Sequence, residues 1–274
     1  MTKKFSRKIG QKIVIGNWKM NPLTVAEAKR IIVSVKKAAK KLNRTKVVIC
    51  PPSPFIGYAL PRVPEKSTAK GVVSVGAQDV FYEEQGAFTG EVSARQLADM
   101  DLGYVIVGHS ERRRAGEGAF AAETDVVVAK KAIAVAQAGM VAVLCVGETV
   151  RDAHGEYLDF LRNQIRASLQ GFSKKYIEER RLVVAYEPVW AIGAKEAMTP
   201  TLIHEMTIFV KKVLADLYGQ EEAFDVPVLY GGSVNFRNAA DIIRGGEVNG
   251  LLVGRESVNA PGFAELIRAV DEVK

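Results

Sequence analysis

Glu187 stands at the end of an apolar, β-branched run, Leu182-Val183-Val184-Ala185, and Pro188 follows it at once. Proline has no N–H for a strand ladder, so the strand stops and the carboxylate is left at its C-terminal lip, placed to act as a general base. His109 follows a second strand-like run in Gly108-His109-Ser110-Glu111-Arg112-Arg113. The polar segment after it reads as a helix N-terminus, whose dipole disfavours imidazolium. A neutral ring there could donate a hydrogen bond to a carbonyl and exchange protons with its oxygens. Asn17 and Lys19 follow a third run and supply an amide and an ammonium. Gly231-Gly232-Ser233 and Gly254-Arg255-Glu256-Ser257 close two more, and backbone amides in such turns can nest a phosphate.

Taken singly, each of these has a structural reading. Glu187 could answer a helix dipole or a salt bridge, His109 could be a satisfied core histidine, and Lys19 a solvated charge. Gly231-Gly232-Ser233 could be only a turn. Five such clusters at five strand ends are harder to explain by packing, and they describe a reaction site around one cavity. His154, His204 and the run Arg112-Arg113-Arg114 are read as solvated or structural.

The elements that must hold these residues alternate short β-branched runs with longer helical segments. Strands are predicted at Ile13–Ile15, Val47–Cys50, Val72–Ala77, Tyr104–Val107, Val141–Val146, Leu182–Tyr186, Val228–Tyr230 and Gly250–Val253. Thr24-Val25-Ala26-Glu27 and Ser93-Ala94-Arg95-Gln96 read as capping boxes that open helices. Further helices are expected over Ala121–Ala138, Leu158–Leu169 and Thr201–Leu217, and after Pro261. Near-continuous apolar strands imply a parallel sheet buried on both faces. Eight strand–helix units in this length favour one closed (β/α)8 barrel spanning residues 1–274, with residues 1–11 a basic solvated leader. A doubly wound nucleotide-binding sheet is disfavoured, because no G-x-G-x-x-G follows the first strand.

Composition narrows the class. A hydrophobic content of 48% can build one large core, and no run is long and apolar enough for a transmembrane helix. No apolar signal core follows the basic N-terminus, so a cytoplasmic protein is expected. Cys50 and Cys145 each end an apolar strand and read as buried free thiols, and no histidine or cysteine spacing suggests a metal. The formal charge of +7 suits a small anionic substrate better than nucleic acid, since basic residues alternate with acidic ones along the helices.

Several motifs resemble the triosephosphate isomerase family, in that family's order, from about Lys12 to about Ala269. They are Asn17-Trp18-Lys19-Met20-Asn21, Pro51-Pro52, Gly86-Ala87-Phe88-Thr89-Gly90-Glu91, Gly108-His109-Ser110-Glu111-Arg112-Arg113, Cys145-Val146-Gly147-Glu148, the Glu187 segment and Tyr230-Gly231-Gly232-Ser233-Val234. The resemblance implies cofactor-free interconversion of dihydroxyacetone phosphate and D-glyceraldehyde 3-phosphate, a step of glycolysis and gluconeogenesis. It implies that Glu187 takes a carbon-bound proton to give an enediolate, that His109 polarises the carbonyl, and that Lys19 balances charge while Asn17 orients the site. Amides of Gly193, Ser233, Gly254 and Arg255 would hold the phosphate. Glu111, Trp190, Tyr230 and Gly232 would support the site, and Pro188–Thr199 would close over it as a lid. A homodimer is also implied, with Thr89 reaching toward the partner's Asn17 and Lys19. Phe81, Tyr82 and Phe88 make the segment Gln78–Glu91 unusually apolar for a free loop.

Two stretches depart from the family's pattern. The lid carries Ala194-Lys195-Glu196 where Thr-Gly-Lys is usual, and the last phosphate turn carries Arg255-Glu256 where Gly-Ala is usual. Asn249 stands where Asp is usual. Arg255 is expected to restrict φ and Glu256 to bring a negative charge near an anion site. The lid is expected still to close, with kinetics more sensitive to its tip than to the phosphate turn. The competing readings are another barrel isomerase of a phosphorylated sugar, an inactive binding scaffold and a nucleic-acid binder; no member of the catalytic set is missing, which disfavours the scaffold.

Overall fold

A computed structural model describes residues 11–60, 71–114, 122–191, 193 and 196–273. Apart from Gln11, the expected leader lies outside the described residues, as do Ile192, Ala194 and Lys195 of the lid. Eight parallel strands close on themselves in sequence order. They are β1 (Lys12–Asn17), β2 (Thr45–Cys50), β3 (Ser74–Ala77), β4 (Tyr104–Val107), β5 (Val141–Val146), β6 (Leu182–Tyr186), β7 (Val228–Tyr230) and β8 (Gly250–Val253). The seam is made by β1 and β8, paired from Ile13 with Gly250 to Gly16 with Val253. Five strand bounds match the sequence expectation, and β1 and β2 are longer. β3 begins at Ser74 instead of Val72.

The strand alternation sorts residues into two apolar layers. Ile13, Ile15, Tyr104, Ile106, Val143, Val183 and Leu229 fill the barrel. Val14, Val47, Val105, Leu144, Val184 and Leu251 face outward, against the helices. Both layers are buried, which is why the strands read as continuous apolar runs. Cys50 and Cys145 belong to the inner layer and are free thiols.

The helix Val25–Ala39 starts at Thr24, whose Oγ1 accepts the Glu27 N–H. Both bonds of a capping box are present at Ser93, which opens the helix Ala94–Asp99. Longer helices run over Asp125–Gln137, Glu156–Ser168, Pro200–Tyr218 and Ala260–Glu272. Among the described residues, no helix is long and apolar enough to cross a membrane. Asp271, in the last helix, accepts the N–H groups of Asn43, Arg44 and Thr45 at 2.7–2.8 Å, fixing the entry of β2.

Candidate active site

Side chains of a strand alternate, so each inward series can be continued one step past the strand's C-terminal end. Ile13 and Ile15 lead to Asn17, Gly76 leads to Gln78, and Val183 and Ala185 lead to Glu187. Ile106, Cys145, Leu229 and Leu252 lead to Gly108, Gly147, Gly231 and Gly254. With Pro52 continuing the inward Val48 and Cys50 of β2, the mouth of the barrel is therefore ringed by two amides, one carboxylate, four glycines and a proline. Over it lies a chamber of about 580 Å³, whose lining includes Asn17, Lys19, His109, Glu187, Gly193, Ser233, Gly254 and Arg255.

Lys19 is held in a left-handed backbone conformation, φ 52°, that costs a lysine free energy. Its N–H donates to Asn17 Oδ1 at 3.0 Å, while Gln78 Nε2 donates to the Lys19 carbonyl at 2.8 Å and to the Cys50 carbonyl at 2.9 Å. The ammonium reaches Glu111 Oε1 at 2.5 Å. Two side-chain amides thus fix the backbone that aims the cation.

His109 directly precedes the short helix Ser110–Arg113, and its Nδ1 accepts the Glu111 N–H at 3.2 Å. Nδ1 is therefore bare, and the ring's proton is on Nε2, which faces Glu187 Oε1 at 3.3 Å. Both side chains are buried. Burial disfavours ionised Glu187, but the His109 ring, the Cys145 thiol and Lys19 favour it, and its pKa lies below the ordinary carboxylate value. Burial likewise disfavours imidazolium at His109, while the Glu187 and Glu111 carboxylates favour it, and the net direction is upward. The carboxylates thus pull the ring toward imidazolium, while burial and the N–H that Nδ1 accepts favour the neutral ring expected from sequence. Neutralising Glu187 removes the leading upward cause. Once the base carries a proton, burial and Lys19 both favour the neutral ring.

The loop under His109 is tied down by hydrogen bonds and ion pairs. Arg113 donates to the carbonyls of Gly108 (2.5 Å) and Cys145 (3.1 Å) and pairs with Asp125. Arg112 pairs with Asp79 and Glu123, which also hold the buried Lys131. Of the three arginines read as structural or solvated, only Arg114 is exposed. His154 and His204 lie outside the chamber lining.

Two glycines after β7 are dictated by close approach. A Cβ at Gly231 would lie 2.8 Å from Glu187 Cγ, and one at Gly232 would lie 2.3 Å from the Tyr230 hydroxyl. That hydroxyl accepts the Met198 N–H at 3.1 Å, and Ser233 Oγ donates to the Ala191 carbonyl at 3.4 Å. The lid's two ends are thereby tied to the turn after β7. Glu148 Oε1 accepts from the Tyr186 hydroxyl (2.8 Å) and from Trp190 Nε1 (2.9 Å).

The structure thus brings Asn17, Lys19, His109, Glu187, Gly193, Gly232, Ser233, Gly254 and Arg255 to one chamber, with Glu111 against Lys19. Tyr230 and Trp190 act at the lid's ends and do not line the chamber. Thr89 lies on the exposed loop between β3 and the helix Ala94–Asp99, away from its own chain's chamber. Sequence reasoning assigned no role to Gln78 or Glu148. Both directly follow or lie two residues past strand ends, so the rule that found Glu187 could have found them.

The family profile described as Triosephosphate isomerase matches residues 12–270 of this chain. The chain is 38% identical over 256 residues to the triosephosphate isomerase of Moorella thermoacetica, covering 93% of this chain and 97% of that protein. It is 40% identical over 258 residues to that of Thermus thermophilus, with coverages of 93% and 97%. It is 41% identical over 263 residues to that of Alkalilimnicola ehrlichii, with coverages of 94% and 97%. The chain belongs to the triosephosphate isomerase family.

As a triosephosphate isomerase family member, the chain carries its departures in ways the structure explains. Arg255 is not among the residues with positive φ, so the expected backbone restriction costs nothing here. Glu256 points its carboxylate at the first turn of the last helix, where Asn259 Nδ2 donates to Oε1 at 3.1 Å. Asn249 Oδ1 accepts the Val228 N–H at 2.9 Å and fixes the start of β7. The altered lid tip at Ala194 and Lys195 lies outside the described residues.

Proposed function

We propose that the chamber at the barrel mouth interconverts dihydroxyacetone phosphate and D-glyceraldehyde 3-phosphate by proton transfer through an enediolate, without a cofactor. The observation that carries this is the convergence of Glu187, His109 and Lys19 on one chamber, with Glu187 Oε1 3.3 Å from His109 Nε2. Glu187, held ionised, removes the proton from the carbon beside the carbonyl. The Nε2–H of His109 polarises that carbonyl and moves protons between the two oxygens. Lys19 offsets the charge of phosphate and enediolate, Glu111 holds its ammonium, and Asn17 holds its backbone. Backbone amides at Gly193, Ser233, Gly254 and Arg255 receive the phosphate. Closure of Pro188–Thr199 excludes water and protects the enediolate from losing its phosphate.

The barrel acts, in this reading, as the single domain of a cytoplasmic homodimer. An exposed apolar surface supports the dimer: Met20 and Leu23 are 88% and 89% exposed, and Phe88 is 44% exposed on a loop where Phe81 stacks against Tyr82. Beside Lys19 and His109 lies a second cavity of about 530 Å³, lined also by Met20, Ile56 and Val92, of a size to receive the partner's loop.

The test is a coupled isomerase assay on the purified chain in both directions, with other sugar phosphates as controls. Turnover of both triose phosphates and of no larger sugar phosphate is expected. Turnover of only a larger sugar phosphate would replace this reading with that of another barrel isomerase.

A further inference from the structure

We propose that the guanidinium of Arg255 is a side-chain ligand of the substrate's phosphate, added to the backbone amides of the turn on which it stands. The inference rests on the reading that the chamber binds a phosphorylated triose.

The charges around the chamber lead to it. Its described lining carries two carboxylates, Glu187 and Glu256, and two permanent cations, Lys19 and Arg255. The Lys19 ammonium is engaged by Glu111 at 2.5 Å. Arg255 is exposed, and it makes no hydrogen bond or ion pair with any described residue. It is therefore the one unengaged permanent cation among the described lining residues. A phosphate dianion entering the chamber would otherwise meet a single ammonium already shared with a carboxylate.

Placement agrees with this role. A Cβ at Gly254 would lie 3.5 Å from Lys19 Cε, so the stem of Lys19 passes directly over the turn that begins at Gly254. Arg255 is the next residue, and its fork of N–H donors fits phosphate oxygens in pairs. The adjacent carboxylate does not compete for it. Glu256 Oε1 accepts from Asn259 Nδ2 and packs so closely on Gly262 that a Cβ there would lie 1.7 Å from it. The acid of the neighbouring pair is thus engaged at the start of the last helix, while Arg255, in the chamber lining, is left to other ligands.

The test compares Arg255→Gln and Arg255→Lys with the parent protein. Three quantities are read: KM and kcat for the phosphorylated triose, the dissociation constant of inorganic phosphate, and turnover of phosphate-free D-glyceraldehyde. In Arg255→Gln, KM and the phosphate dissociation constant should rise together by about 3- to 30-fold, between the effects of an exposed ion pair and of a charge-assisted bond. The loss should shrink as salt is added, and Arg255→Lys should recover part of it. Turnover of phosphate-free D-glyceraldehyde, which offers the guanidinium nothing to hold, should fall by less than turnover of the phosphorylated triose. Phosphate affinity and KM near the parent's in both variants would overturn the proposal. So would an equal loss on D-glyceraldehyde, which would mean a distorted site. An inactive parent protein would instead sink the isomerase reading, while the phosphate titration would still report on Arg255.

Discussion

At the residue scale, the site depends on one carboxylate kept ionised in a buried place. Replacing it by its amide, Glu187→Gln, should lower turnover by about 10²–10⁴-fold with an unchanged circular dichroism spectrum. Gly231→Ala tests the packing behind that carboxylate. The new methyl would lie 2.8 Å from Glu187 Cγ and push the base off its line, so kcat should fall by about 10- to 100-fold while the melting temperature holds. The pH dependence follows from the pair. The pKa of His109 is raised by Glu187, so the stability gained from a protonated ring is fully present below the unfolded value, about 6.5, and is lost as pH rises through the higher folded value. The same proton ties up the base, so kcat/KM should fall as pH drops through that raised value. In His109→Gln this limb should move toward the carboxylate range; an unshifted profile would remove the imidazole from the mechanism. Glu187, His109 and Lys19 were legible because each is a polar residue where an apolar run stops. The balance of charge at His109 was not legible, since it depends on a residue 78 positions away in sequence.

At the element scale, caps and strand ends carried most of the readable information. Thr24 and Ser93 name their helices locally, and the described bonds are those that such residues make with the third residue on. Gln78 directly follows the strand end at Ala77 that the sequence predicts, but its hold on the Lys19 and Cys50 carbonyls joins residues 59 and 28 positions apart. Asp271 was missed because its three backbone partners lie 226–228 residues away. Burial raises the pKa of Asp271, but three N–H groups lower it further, so the net direction is downward. Its contribution to stability is therefore present above the unfolded carboxylate value and lost as pH falls through the lower folded one. Because water can replace most of these bonds, Asp271→Ala should cost about 0.5–1.5 kcal/mol at neutral pH. Thermal unfolding should show the gap to the parent closing in acid, and a gap that stayed constant would deny the carboxylate this role. The sequence reading looked to Lys195 in the lid as the sensitive departure. Lys195 lies outside the described residues, so the Lys195→Gly and Arg255→Gly variants, assayed side by side, decide which departure matters more.

At the scale of the whole molecule, the closed barrel was readable because burial on both faces leaves eight apolar runs with no alternation. Closure itself, β1 against β8, came from the count of units and not from any residue in the seam. The proposed association of two chains rests on exposed apolar side chains, Met20 and Leu23 among them. Phe88→Asp should shift sedimentation toward monomer and reduce activity with it; a fully active monomer would sever assembly from catalysis. The central claim, that Glu187 moves a carbon-bound proton, is tested most directly by turning over dihydroxyacetone phosphate in heavy water and reading deuterium in the product by NMR. Solvent deuterium on the carbon beside the new aldehyde is predicted, formed by the parent protein and about 10²–10⁴-fold more slowly by Glu187→Gln. Product carrying no solvent deuterium, or an equal rate in the variant, would contradict it.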